Sequence, residues 1–311
     1  TQETKNSSQK HVQSKTTVSL IEAIKQNNQE EVFRLLNLKV DSFGKRFIDE
    51  VDAEYEGGPL YWVAAYGHVH LITPLIKAGA DIGKQDKDGR TPLYKAAING
   101  HTSAIVALKA AGANVNAQNN NGCTPTYAAA AGGRTEVISI LKASGADVNT
   151  SDGLGLTPVH VAAEGGHTEA IRALNAAGAY VDMPDTNGRT PVWTAAQRGH
   201  PGAIAILHAA GANVNTPDTS SWTPVHAAAC NGHTEAIRTL HALGANVNAP
   251  DNKGDMPVYI AACQGRAAAI TVLHAAGANV NTLEKYGMTP AHGAACNGHA
   301  EAIRTLYAAG A

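Results

Sequence analysis

Aromatic residues are scarce, at 5% of 311 residues, yet hydrophobic residues reach 44% because alanine supplies much of that share. A single globular core of large side chains is excluded by this balance, and thin layers of small residues are expected instead. Charge of one sign is also missing. The formal net charge is −2, which gives no global electrostatic case for binding nucleic acid or an anionic membrane surface. No apolar run approaches the roughly 18 residues a membrane span needs. The opening stretch 1–17, "TQETKNSSQKHVQSKTT", lacks the apolar centre of a secretory signal and is expected to be a disordered polar tail. Four cysteines occur without a CxxC, which argues against a disulfide framework and for a reducing, intracellular setting such as the cytoplasm.

Recognisable catalytic chemistry is absent as well. Glycine is abundant, at 31 residues, but the "GLG" at 153–155 has neither the following Lys-Ser/Thr nor the preceding buried strand of a phosphate loop. No His-x-x-x-His pair with a helical glutamate is present, so zinc hydrolysis has no support. Fourteen histidines occur, and most recur at fixed spacing, as a structural position does and a catalytic group normally does not. No Ser–His–Asp set stands apart from the repeating caps and turns. No catalytic residue, cofactor or metal ion is expected.

What is present is repetition. The dipeptide before a short helix falls at Gly58-Pro59, Thr91-Pro92, Thr124-Pro125, Thr157-Pro158, Thr190-Pro191, Thr223-Pro224, Met256-Pro257 and Thr289-Pro290. The step is constant, at about 33 residues, a period that marks stacked repeat architectures. An earlier unit, "SLIEAIKQNNQEEVFRLL", lies upstream of the first of these and carries extra residues in its exit loop. The reading is a capping unit at 18–57 and repeats starting at 58, 91, 124, 157, 190, 223, 256 and 289, the last one truncated. Within a unit, Thr223 can cap a helix and Pro224 suits its first position. Asn231-Gly232 ends that helix, "HTEAIRTLHAL" makes a second, longer one, Gly244 stops it, and Asp251 to Gly254 form a hairpin-like tip. Neither helix is long enough to be stable alone, so each unit must bury its apolar side on the next.

The chain resembles the ankyrin-repeat family over roughly residues 18–311. The pattern D-x-x-G-x-T-P-x-H-x-A-A-x-x-G-H, an apolar helix, then G-A-N-V-N carries the resemblance. The tip glycine stands at Gly89, Gly122, Gly155, Gly188, Gly254 and Gly287, and the G-H histidine at His101, His167, His200, His233 and His299. The resemblance implies an all-α solenoid of stacked helix-turn-helix repeats with β-hairpin-like loops. It also implies that His160, His226 and His292 tie neighbouring loops together. Departures are Ser221 for the tip glycine, Arg134 and Arg266 for the histidine, and Met256 for the capping threonine, where Asp255 is the alternative cap. Each is expected to weaken a single turn. From Thr157 onward the units alternate between a histidine type and an aromatic type carrying Trp193 or Tyr259, a superperiod of one pair of units.

If the repeat fixes the scaffold, its irregular positions hold the function. In the family the concave surface is built from hairpin tips and the exposed ends of the first helices. Here Leu154, Leu156, Trp222, Tyr286 and Met288 put large apolar groups where polar tips are usual, and such groups mark interaction surfaces. Arg189 and Arg198 lie among them, available to acidic groups of a partner. These seven residues are the candidate partner-binding set. Tyr61, Tyr94, Tyr127, Trp193 and Tyr259 occupy the histidine slot and are assigned to packing. Cys230, Cys263 and Cys296 take the same position in three successive units, too far apart for a disulfide between stacked helices. They read as a duplicated small residue, or alternatively as an exposed thiol stripe open to oxidation. Ile303, Leu306 or Tyr307 is expected to leave apolar surface at the C-terminal end, to be covered by further chain, a partner or a second copy.

The leading function is a non-catalytic scaffold that binds a protein on its concave face. One alternative is a substrate-recruiting or targeting module of a larger enzyme or effector. A weaker one is a thiol-based redox sensor.

Overall fold

A computed structural model of the chain describes residues 19–39 and 46–311. The polar stretch 1–17 lies outside the described residues. The described chain is a row of helix pairs joined by turns, an all-α solenoid with no strand among the described residues. It opens with Leu20–Lys25 and Gln29–Leu38, followed by a short 3-10 turn at Phe47–Asp49. The exit loop is packed rather than loose at this turn, since Phe47 and Ile48 are buried. Asp52 in that loop pairs with Lys25 at 2.7 Å, and the ammonium holds its carboxyl below the usual range.

In each later unit the first helix starts on its proline, as at Pro92–Asn99, Pro191–Arg198, Pro224–Asn231 and Pro257–Cys263. The proline loses nothing there because the first helical N–H has no partner in the helix. The preceding threonine is extended, and its hydroxyl accepts the N–H three residues on, as Thr91 does from Tyr94 and Thr190 from Trp193. From the unit starting at 91 onward the second helices, such as Thr234–Ala242, are nine residues long, scarcely longer than the first, whereas that of the unit starting at 58, Ile72–Lys77, has six. Gly199 shows why glycine separates the two: its φ is +73°, and a Cβ there would lie 2.6 Å from Nδ1 of His233 in the next unit.

One hydrophobic core runs from Leu20 to Leu306. Along the first helices it is a seam of alanine pairs, including Ala162 and Ala163, Ala195 and Ala196, and Ala228 and Ala229, all fully buried. Along the second helices it is Ile and Leu, such as Ile204, Leu207, Ile237 and Leu240. Small residues let the short helices approach closely, and each unit completes the core of its neighbour.

Polar side chains lock the units together. Nε2–H of His160 donates to the Arg189 carbonyl at 2.9 Å, and that of His226 donates to the Asp255 carbonyl at 3.0 Å. The G-H histidines reach backward: His200 and His233 meet the carbonyls of Glu164 and Gln197, each at 3.0 Å. The expected weak turns at Arg134 and Arg266 need correction. Their Nε–H groups donate to the carbonyls of Ile98 and Cys230 in the preceding unit, which is the bond the histidine makes elsewhere. Ser221 takes the left-handed conformation of the missing glycine, at φ +63°. Met256 begins its helix without a side-chain cap, so Asp255 does not take over that role. At the C-terminal end Tyr307 is 80% exposed and Ile303 partly so, as expected of two of the three residues, whereas Leu306 is fully buried in the core.

Candidate binding groove

The hairpin tips are held by their first acidic residue. Asp218 Oδ1 accepts the backbone N–H groups of Ser220 and Trp222 at 2.8 and 2.9 Å, and Asp251 Oδ1 those of Lys253 and Asp255 at 2.7 and 2.9 Å. Asp86, Asn119, Asp152, Asp185 and Glu284 make the same pair of bonds. This tip geometry fixes the residue before each helix cap and presents it beside the first helix. At that position the side chains change from unit to unit: Arg90, Cys123, Leu156, Arg189, Trp222, Asp255, Met288.

A groove of about 600 Å³ crosses three successive units at these irregular positions. Arg189, Trp193, Trp222, Asp255, Ile260 and the tips at Asp218 and Asp251 line it. Its walls are already partly ordered. The Arg189 guanidinium lies over the Trp193 ring, 4.6 Å from the centroid. Trp222 stacks on His226 at 5.9 Å and donates Nε1–H to Asp251 Oδ2 at 2.8 Å. Trp193 Nε1–H donates to the Trp222 carbonyl at 3.1 Å, so in the aromatic type of unit an indole replaces the imidazole as donor. Asp255 differs from the tip carboxylates. Only its backbone is engaged, by the Asp251 carboxylate and the His226 ring. Burial, with Asp251 and Glu284 nearby, raises its carboxyl above the usual range.

Two of the seven candidate residues, Arg189 and Trp222, therefore meet in one groove. Leu154 and Tyr286 are strongly exposed at their tips but do not line it. Leu156 and Met288 are half-buried, one unit outside the groove on its N-terminal side and one on its C-terminal side. Arg198 is not free, since it pairs with Glu164 of the preceding unit. Arg189 stacks on Trp193, and its buried Nε has no hydrogen-bond partner among the described residues. Sequence reasoning missed Ile260 and Asp255 as groove residues. Ile260 belongs to a fourth variable position, three after the helix-starting proline, occupied by Trp62, Lys95, Ala128, Val161, Thr194, Ala227, Ile260 and Gly293. The signal was available there: no two neighbouring units repeat a residue at this position, although the proline before it and an alanine pair soon after it recur.

The cysteines do not form a uniform exposed stripe. Cys296 is exposed, while Cys230 and Cys263 are half-buried, and burial pushes both of these thiols up. That is the opposite of what thiolate chemistry requires. Cys123 is buried against Tyr94 and Ala128. Among the described residues no group of three or more His, Cys, Asp or Glu is placed to hold a metal ion, and no helix is long and apolar enough to cross a membrane.

A family model described as ankyrin repeats (3 copies) matches residues 60–152, 145–218, 202–283 and 225–311. No curated protein matches the chain.

Proposed function

This chain belongs to the ankyrin-repeat family, whose repeats are generally protein–protein interaction modules, and from that premise we propose that it is a non-catalytic scaffold binding a protein partner on its concave face. The observation that carries the reading is the groove at Arg189, Trp193, Trp222, Asp255 and Ile260. It runs mainly along the positions the repeat leaves free, while the repeated histidines tie units together and the repeated threonines and tip residues hold their own helix starts and tips. Side chains fixed on stacked helices lose little further freedom on binding, which keeps the ordering cost low. Trp and Arg are also the residue types that dominate interface energetics.

The partner-binding surface extends from the groove to Leu156 on one side and Met288 on the other. The test compares the intact chain with a Trp222→Ala, Leu156→Ala, Met288→Ala variant as bait, with circular dichroism to verify that both stay folded. Proteins captured by the intact chain and lost by the folded variant support the reading. Equal capture by both overturns it.

A further inference from the structure

We infer that the groove between the units starting at 190 and 256 holds a lysine or arginine side chain from an extended segment of a partner protein, with Asp255 as its counter-ion and the Trp222 indole as a wall. The inference rests on the protein-binding reading above and narrows it to a basic segment.

Three observations point to a cation. First, the groove has the size of a ligand cleft, about 600 Å³ against the roughly 300–1,000 Å³ such clefts span. Second, carboxylates outnumber cations in its lining: Asp218, Asp251 and Asp255 stand against Arg189, whose guanidinium rests on Trp193, and Lys253 at an exposed tip. Third, Asp255 is a half-buried carboxylate beside Asp251 and Glu284; Lys253 is near but makes no salt bridge with it, and its side chain has no hydrogen bond among the described residues. A half-buried carboxylate loses part of its hydration, and a charge-assisted hydrogen bond from an incoming ammonium or guanidinium compensates for that loss.

The aromatic wall fits the same ligand. A guanidinium over an indole is an arrangement the chain itself uses one unit earlier, where Arg189 covers Trp193. Trp222 stands at the Arg189 position of the next unit, half-buried and rigidly held by Asp251 and His226. Ile260 lines the groove and supplies apolar contact for the methylene stem of a long side chain.

The experiment is selection of a displayed random peptide library on the full chain, followed by fluorescence anisotropy of the enriched peptides on the intact chain, on Asp255→Asn and on the triple variant named above. The inference expects a lysine or arginine fixed at one position of the enriched peptides. It expects binding about tenfold or more weaker for Asp255→Asn, further weakening with added salt, and an unchanged melting temperature. Enriched peptides without a fixed cation, equal binding to Asp255→Asn, or no enrichment at all would overturn it. The two readings fail separately: peptides lost on the triple variant but indifferent to Asp255 overturn only the cation, and peptides indifferent to both overturn the concave surface too.

Discussion

Asp182 accepts the backbone N–H of Asn213 at 3.3 Å, while its other carboxylate oxygen is buried without a partner. In the surrounding units this position is asparagine and makes two bonds. Asn215, for example, accepts from Asn246 N–H at 2.8 Å and donates to the Gly244 carbonyl at 3.2 Å. Asn248 does the same with Asn279 and Gly277. Asp182 has no hydrogen to offer the Gly211 carbonyl unless it is protonated, and burial does raise its carboxyl. Asp182→Asn is therefore expected to stabilise the fold by about 1 kcal/mol at neutral pH, measured by urea unfolding. Because the folded-state value is raised, this site gains stability as pH falls through it, and the advantage of the asparagine variant should shrink in acid.

The loop-tying histidines respond to pH in the opposite sense. His160 Nδ1 accepts the Thr157 backbone N–H at 3.1 Å while Nε2–H donates to Arg189, and His226 is held identically by Thr223 and Asp255. Only the neutral ring can accept at Nδ1, and burial depresses both values. Their stabilisation should be complete above about pH 6.5, the ordinary histidine value, and be lost as pH falls toward the depressed folded-state values. Thermal unfolding of an Asp182→Asn, Asp255→Asn variant across this range removes the two raised carboxyls that would oppose the histidine effect. A stability that rises on acidification in that background would contradict it.

Arg266 tests whether the bond or the residue type matters at the G-H position. Arg266→His should keep the contact with the Cys230 carbonyl and leave the melting temperature nearly unchanged. Arg266→Ala leaves that bond unmade and should cost about 1 kcal/mol, read by denaturant titration.

Thiol reactivity should follow burial rather than repeat position. Under native conditions Cys296 is expected to react first with a maleimide, Cys230 and Cys263 slowly, and Cys123 last, with peptide mass spectrometry assigning each site. Equal rates for Cys230, Cys263 and Cys296 would restore the exposed stripe.

Most of the fold was legible because a constant sequence period reports packing at every pitch. Threonine caps, proline starts and alanine seams are local consequences of local letters. Arg134 and Arg266 were harder to read: a guanidinium and an imidazole look different in sequence, yet both bring an N–H to the same carbonyl. Asp255 misled for a related reason. A carboxylate before a helix suggests a cap, but the tip already directs its side chain into the groove beside Trp222, and Met256 starts the helix uncapped. The exposure of Leu154 and Tyr286 followed from the turn. Which of Ile303, Leu306 and Tyr307 would be exposed did not, because Leu306 faces the continuous core and the other two do not.

The central claim is that repeated positions hold the array and irregular ones recognise the partner. The most direct measurement pairs the melting temperature with affinity for a selected peptide in His160→Ala and Asp255→Asn, at a temperature where both are folded. The account predicts that His160→Ala melts earlier yet binds normally, and that Asp255→Asn melts normally yet binds poorly. An Asp255→Asn protein that is destabilised like His160→Ala and still binds the peptide would contradict it.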